Sequence, residues 1–349
     1  MIGDIFVFDN VIHLYDLSPQ NIRRERADAV PSWKQSLEET ARIRYPDEPP
    51  NDDPKFDWAR RWSVDEMYDL VFRRSPTDMA MAQTVPMFDW FTDWYAPIKT
   101  QHAMAAAHPE RVLFCGGVDP MFKGFDDALQ QIDHQSKVMG ARSFKFYNGH
   151  SEVADCWRCD DRKIAYPLYE RIVANGIKVI QFHKGNPHGL QNMEFLNPID
   201  LQAPARDFPE IDFIVHHLAL PYFDEMVSIA ARFPNVYLSL AGYTAFLRFA
   251  PRRFQEHIGR LLQVAGPHKI LWGSEAALAG GPAPYLRMFM DFEIPQDLRA
   301  GYGYPQITME DKRMILGENF ARLMNVDIET KKLELGKLGL VPKLSAQAS

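Results

Sequence analysis

Short apolar runs rich in Val, Ile and Phe recur along the chain, and segments with helical patterning separate most of them. We count eight such runs, at residues 4–9, 79–86, 112–118, 142–147, 178–183, 212–217, 235–240 and 269–274. After the second run the spacing is roughly 25–40 residues, the length of a strand, a loop and a helix. Eight alternations of strand and helix predict the α/β class and a closed parallel (β/α)8 TIM barrel, with a doubly wound open sheet as the alternative.

The segments between the runs carry helix signals. Glycine, which commonly follows the last turn of a helix, ends three of them, at residues 126–140, 166–176 and 252–266. Near the C-terminal end, Thr308 and Asp311 are placed to cap helices that continue to about Met324. The predicted helices of the barrel lie at 97–110, 126–140, 166–176, 222–234 and 252–266.

Two regions do not follow the repeat. Residues 14–78 form a long insertion after the first strand. It contains a predicted helix at 32–44, a Pro- and Asp-rich loop at 44–58 and a second helix that begins at Ser63, where Glu66 completes a capping box. An insertion at this position lies on the catalytic face of a barrel. From about residue 331 we expect a weakly structured tail or a segment that docks on a neighbour. The predicted organisation is therefore one barrel domain over 1–330, with the insertion, and a tail over 331–349.

Composition narrows the class of protein. The chain has 349 residues, of which 46% are hydrophobic and 24% charged, and these values suit a globular protein with a large core. The formal charge of -7 and the lack of a Lys/Arg block argue against nucleic acid as a partner. No apolar stretch of about 18 residues and no signal-peptide pattern are present, so we expect no membrane association. Only three cysteines in so long a chain favour a reducing compartment, and the cytoplasm is the expected location.

Several predicted strands end in side chains that bind metals. In a barrel of this kind the chemistry lies at the carboxyl ends of the strands. Imidazole and carboxylate groups together suit zinc, manganese or Fe(II). The candidates at these ends are His13 after strand one, His183, Lys184 and His188 after strand five, His216 and His217 after strand six, and Glu275 after strand eight.

The period of two along a strand refines these candidates. It places residues 9, 11 and 13 on one face, and it separates His216 from His217. We prefer His217 as the ligand, with His216 in an outer position. Lys145 on strand four is interpreted as a residue that binds a substrate carboxylate or as a carbamylated metal bridge, and a lysine without a role at the barrel mouth is the alternative.

Several segments resemble one known family. The stretches "ERVLFCGGVDP", "IDFIVHHLALP", "HKILWGSEAAL" and "GENFARLMN" resemble the third, sixth and eighth strands and the closing helix of the amidohydrolase superfamily. The resemblance is narrower to the branch that holds aminocarboxymuconate semialdehyde decarboxylase and γ-resorcylate decarboxylase. It covers the first strand and residues from about 79 to 325.

The resemblance implies a ligand set. The second histidine of the family's His-x-His pair corresponds to His13, the strand-five ligand to His183 and the strand-six histidine to His217. The catalytic, metal-contacting aspartate corresponds to Glu275, which is longer by one methylene. Val11 stands where the first histidine of the pair would be, so one ligand is replaced.

The resemblance also implies a function. The leading hypothesis is a metal-dependent hydrolase or decarboxylase, a C–C lyase in the second case, acting on a small carboxylated molecule. The cofactor would be a divalent metal, zinc first, with manganese or iron as alternatives. Glu275 would act as acid or base, and His217 would assist proton transfer. Lys145, Lys184 and His188 would bind the substrate.

Two other hypotheses remain open on the sequence. One is a metallo-oxygenase subunit with iron or manganese, as in a two-component 2-aminoisobutyrate hydroxylase, or the non-catalytic companion of such a subunit. The other is a scaffold without enzymatic activity. A homodimer, or a hetero-oligomer with a related barrel, is the expected assembly.

Overall fold

Eight parallel strands pair in chain order in a computed structural model that describes residues 2–23, 60–278 and 280–340. The strands are β1 (Phe8–Ile12), β2 (Met79–Gln83), β3 (Val112–Gly117), β4 (Ser143–Phe146), β5 (Val179–Phe182), β6 (Asp212–Val215), β7 (Val236–Ser239) and β8 (Ile270–Leu271). Every predicted apolar run contains one of these strands or overlaps it, so the prediction of a (β/α)8 barrel is confirmed.

The ring closes between β1 and the segment that follows β8. The backbone nitrogen of Asn10 donates to the carbonyl of Trp272 at 3.0 Å, and that of Glu275 donates to the carbonyl of Val11 at 3.2 Å. The backbone nitrogen of His13 donates to the carbonyl of Ala276 at 2.7 Å. These bonds join β1, the first strand of the sheet, to the segment directly after β8, the last strand. The sheet is therefore closed, and the alternative prediction of a doubly wound open sheet is wrong.

Helices cover the outside of the barrel. They are α1 (Val64–Tyr68), α2 (Ile98–Ala107), α3 (Phe125–Lys137), α4 (Ala165–Ala174), α5 (Met193–Leu196), α6 (Gln202–Asp207), α7 (Phe223–Arg232), α8 (Phe246–Phe249), α9 (Pro251–Val264), α10 (Ala283–Asp291), α11 (Gln296–Tyr302), α12 (Met309–Arg313), α13 (Asn319–Leu323) and α14 (Ile328–Lys337). The five predicted barrel helices correspond to α2, α3, α4, α7 and α9. The chain continues from α1 and from α12 into single π-helical turns.

The strands alternate between the two sides of the barrel wall. In β4, Phe144 and Phe146 are fully buried in the apolar layer between strands and helices. Ser143 and Lys145 point the other way, since the hydroxyl of Ser143 bonds to Gln181 of the neighbouring strand. A polar side chain on β4 is therefore directed into the barrel interior, and this direction sets up the site described below.

The insertion and the C-terminal segment only partly match their predictions. The capping box before α1 is confirmed, because the Ser63 hydroxyl accepts from the backbone of Glu66 and the Glu66 carboxylate accepts from the backbone of Ser63. The predicted helix at 32–44 and the Pro-rich loop at 44–58 lie outside the described residues. Instead of weak structure from about residue 331, α14 runs to Lys337 with Leu335 buried. Residues 341–349 lie outside the described residues. Among the residues that the structure describes, no helix is long and apolar enough to cross a bilayer.

Candidate active site

A layer of amides lies across the barrel interior beneath its carboxyl end. The carbonyl oxygen of the Gln181 side chain accepts from Gln83 at 2.9 Å and from Nε2 of His216 at 2.8 Å. Its amide nitrogen donates to the Ser143 hydroxyl at 3.0 Å and lies 3.2 Å from the sulfur of Met81. Below it, an apolar cluster fills the barrel down to α13, with members that include Phe8, Met81, Cys115, Ile214, Leu271 and Phe320.

Above this layer, His183 and His217 form a direct pair. Nε2 of His217 lies 3.0 Å from Nδ1 of His183. The other nitrogen of His217 lies 2.8 Å from the carbonyl of Ala241, and the other nitrogen of His183 lies 3.1 Å from the carbonyl of Asn186. Tyr147 stacks on His183 at a centroid distance of 4.3 Å, which holds the ring plane in place.

The number of ring protons shows what the pair is suited to bind. A backbone carbonyl only accepts, so each outer nitrogen carries a proton. A neutral imidazole has one ring proton, so in the neutral form of either ring the inner nitrogen has a lone pair that faces the other ring. Burial, with the nearby charge of His217, lowers the pKa of His183 well below its usual value, so that ring is neutral. Two facing lone pairs are stable only when a proton or a metal cation lies beside them.

His13 repeats the pattern. Its Nδ1 lies 2.7 Å from the carbonyl of Gln83, which places the ring proton there and leaves a lone pair on Nε2. Burial lowers the pKa of His13 to about 4, while the charge of Glu275 works in the opposite direction. Metal-binding histidines nearly always donate their second nitrogen to a carbonyl or a carboxylate. The chemistry of these three imidazoles therefore fits a divalent ion.

Glu275 lies on the other side of His217. Its Oε2 is 3.3 Å from Nδ1 of His217, and its backbone is left-handed, with a φ of 55°. Gly242 makes room for this carboxylate, since a Cβ built at residue 242 would lie 2.4 Å from Oε2. Within residues 2–23, 60–278 and 280–340, no group of three or more His, Cys, Asp or Glu side chains is already arranged around one point where an ion would fit. The structure thus brings His183, His217 and Glu275 into contact, and their role as metal ligands stays a prediction.

The expected alternation in β1 is wrong. From Asp9 to Ile12 the chain advances three residues while β2 advances two, from Ala80 to Ala82, which is a β-bulge. Residues 9, 11 and 13 therefore do not follow a period of two. Val11 is fully buried, and its side chain lies beside Gly273 next to β8, where a Cβ at residue 273 would come within 2.9 Å of it.

The reason given for preferring His217 over His216 is also wrong. Phe213 and Val215 face the helical layer, so strict alternation directs His216 into the barrel, where it bonds to Gln181. His217 reaches the site because the chain turns left-handed there, with φ values of 58° at His217 and 51° at Leu218. Both histidines consequently contribute to the interior.

The three predicted substrate-binding residues have different surroundings. Lys145 is fully buried inside the barrel, and among the described residues its Nζ has no hydrogen-bond partner. Lys184 is equally buried, but its Nζ bonds to the Asp200 carboxylate at 2.8 Å and to the carbonyl of Phe195, so its charge is already neutralised by a protein group. His188 lies beside His183, with 5.3 Å between the ring centroids.

A second buried cluster near the strand ends was not expected from the sequence. Nε2 of His150 lies 2.9 Å from Asp119, and its Nδ1 lies 3.2 Å from Asp89. Burial alone would lower the pKa of His150, but the charges and hydrogen bonds of the two carboxylates raise it to about 10. The cluster ties together the loops after β2, β3 and β4. These residues are far apart in the chain, and no local motif marks them.

Comparisons with known proteins agree with this architecture. A family model described as Amidohydrolase matches residues 27–326, which is most of the chain. Protein fluG of Emericella nidulans is 32% identical over 99 residues, and the match spans 28% of this chain and only 11% of that protein.

Two solved structures share the fold. The uncharacterized TIM-barrel protein Bb4693 of Bordetella bronchiseptica has a TM-score of 0.66 and 19% identity, covering 92% of this chain and 99% of that one. The 5-carboxyvanillate decarboxylase LigW2 of Novosphingobium aromaticivorans, solved as a point mutant with bound manganese, has a TM-score of 0.59 and 10% identity, covering 93% and 98%. The family model covers more than half of the chain and the barrel architecture agrees with it, so the chain belongs to the amidohydrolase family.

Proposed function

We propose that the protein is a divalent-metal-dependent hydrolase or decarboxylase that acts on a small carboxylated organic molecule. The main support is the orientation of three buried imidazoles. His13, His183 and His217 each direct one nitrogen at a backbone carbonyl, so the other nitrogen is the one available to a cation. The decarboxylase with bound manganese among the structural neighbours supports the same interpretation.

The residues that would hold the ion are His13, His183, His217 and Glu275, through imidazole nitrogens and one carboxylate. Such donors suit zinc first, with manganese or iron as alternatives. A bound ion supplies Lewis acidity, which polarises a carbonyl or lowers the pKa of a water molecule.

The protein groups position the reaction and move its protons. Glu275 lies 3.3 Å from His217, which allows a proton to pass between the carboxylate and the ring. The carbonyls of Gln83, Asn186 and Ala241 keep the ring tautomers fixed. Lys145 and His188 are the proposed contacts of the substrate, and the ion pair of Lys184 with Asp200 gives that lysine a structural role instead.

Metal analysis of protein purified without added metal tests this proposal. One equivalent of zinc or manganese is the expected result. Iron together with oxygen uptake on addition of an amino acid would favour the oxygenase alternative, and no metal after loading would refute the proposal.

Val11→His restores the missing imidazole of the His-x-His pair, and we expect tighter metal binding in equilibrium dialysis. Unchanged affinity would show that the bulge in β1 keeps residue 11 out of reach of the ion.

The role of Glu275 is tested by Glu275→Gln. We expect carbon dioxide release from a panel of carboxylated acids, 5-carboxyvanillate among them, to fall by about 10²- to 10⁴-fold, the usual contribution of a general acid or base. Glu256→Gln is the matched control, because Glu256 makes an exposed ion pair with Arg252 far from the barrel interior. Equal rates for the two variants would remove Glu275 from the mechanism.

A further inference from the structure

Four lysines of the described chain are buried, and Lys145 differs from the other three. Lys184 bonds to Asp200 and the carbonyl of Phe195. Lys269 donates to carbonyls that include those of Phe233 and Val236, and Lys312 donates to the carbonyl of Met290. For Lys145, no acceptor lies within hydrogen-bond distance among the described residues.

This difference decides the charge state that the fold supports. A buried ammonium without a carboxylate or carbonyl costs several kcal/mol, whereas a buried neutral amine costs far less. The buried ammonium of Lys184 is held by a carboxylate and a carbonyl, whereas Lys145 has neither kind of partner among the described residues. Burial lowers the pKa of Lys145 to about 7, although the charge of Glu275 acts in the opposite direction. A large fraction of Lys145 is therefore a free amine at neutral pH.

The position of Lys145 joins this amine to the site. Lys145 pairs in register with Gln181 on β5, and Gln181 bonds to His216 on β6. The Nζ atom lies 5.6 Å from the ring centroid of Tyr147, which stacks on His183. Nδ1 of His216 also lacks a hydrogen-bond partner among the described residues, and its Nε2 proton is committed to Gln181. Lys145 on β4 and His216 at the end of β6 therefore lie on either side of β5, which carries Gln181.

We propose that Lys145 is a nucleophilic amine that forms an imine with the ketone or aldehyde carbonyl of a small oxo acid bound in the barrel mouth. The amine adds to the carbonyl carbon, a C=N bond replaces the C=O bond, and one water molecule leaves. No oxidant or reductant is required. The proton that the amine releases on addition and the proton taken up on dehydration exchange with water.

For a β-oxo acid the imine continues to decarboxylation, and this step rests on the proposed function. The protonated imine accepts the electron pair of the C–C bond to the carboxylate, carbon dioxide leaves, and an enamine remains. A proton adds to the enamine carbon, and water then releases the ketone and the free amine. In this inference Lys145 contacts the substrate through a covalent bond, not as an ion-pair partner of its carboxylate.

Reductive trapping on the full-length, metal-loaded protein tests the inference. The protein is incubated at pH 7 with acetoacetate or pyruvate and sodium cyanoborohydride, and its peptides are mapped by mass spectrometry. We expect a reduced adduct on Lys145. Lys184 is the internal control and should react at least about a hundredfold more slowly, because its ion pair with Asp200 raises its pKa above 10.5 and leaves little free amine. Lys145→Met, checked for folding by circular dichroism, should lose the adduct without change at other lysines.

The outcomes separate this inference from the proposed function. An isopropyl adduct from acetoacetate shows imine formation and carbon dioxide loss together. An adduct from acetoacetate that retains the carboxyl group supports the imine and counts against the decarboxylase, whereas pyruvate tests imine formation alone. Overturning results are an unmodified Lys145 in protein whose surface lysines react, or a carbamate on Lys145 detected by carbon-13 NMR with labelled bicarbonate.

Discussion

Replacement of His150 by glutamine tests the buried cluster that holds three of the loops at the barrel mouth. His150 is fully buried between the carboxylates of Asp89 and Asp119, and the Trp157 indole also donates to Asp119. His150→Gln keeps a hydrogen-bonding side chain but removes the positive charge. Two carboxylates then remain in a buried site without a cation, and breaking a buried ion pair in this way typically costs about 3–5 kcal/mol.

The pH dependence follows from the same cluster. The pKa of His150 rises from 6.5 to about 10 in the folded protein. At about 1.4 kcal/mol per pH unit, this difference sets an upper limit of about 5 kcal/mol for its contribution to stability. Since the folded pKa lies above the unfolded one, the contribution is complete below about pH 6.5. It shrinks as the pH rises from there and is lost above about pH 10.

Urea unfolding followed by tryptophan fluorescence measures both effects. The wild-type free energy of unfolding should fall between pH 7 and pH 10, and the His150→Gln curve should be much flatter and lower at pH 7. His257→Gln is the matched control, because burial lowers the pKa of His257 to about 4, so this partly buried ring carries no charge across the same range. A His150→Gln protein within about 1 kcal/mol of wild type at pH 7, or a wild-type curve that is flat to pH 10, would refute the reasoning.

Two further substitutions address the site and its support. Gly242→Ala should lower activity and metal affinity by at least tenfold, because the new methyl would lie 2.4 Å from Glu275 Oε2. Gly176→Ala is the control, since Gly176 has a similar positive φ with open space around it and its substitution should lower stability alone. Equal losses of activity in the two variants would contradict the steric explanation. Lys184→Met leaves Asp200 buried without its cation and should lower the free energy of unfolding by about 3–5 kcal/mol, with the KM of the folded protein unchanged. A higher KM without loss of stability would instead support the predicted substrate-binding role of this lysine.

The predicted ligand residues and their observed neighbours show how far pattern reasoning reaches. Strand ends place His183, His217 and Glu275 near one another because the carboxyl ends of parallel strands meet at one end of a barrel. The same reasoning treated Lys145 and Lys184 alike. In the structure Lys145 lies within β4 and faces the barrel interior without a hydrogen-bond partner among the described residues. Lys184 lies beyond the end of β5, where its ammonium is bound to Asp200.

The sequence by itself determined the barrel, its strand positions and its main helices, because periods of two and about 3.6 residues and glycine stops are local properties. It also determined which strand ends carry imidazoles and a carboxylate. Only the tertiary structure decided which way those groups point. A bulge in β1, seen in its pairing with β2, and left-handed backbone at His217 and Glu275 break the period of two. The His150 cluster and the unpartnered amine of Lys145 likewise depend on side chains that are distant in the chain and come together only when the ring of strands closes.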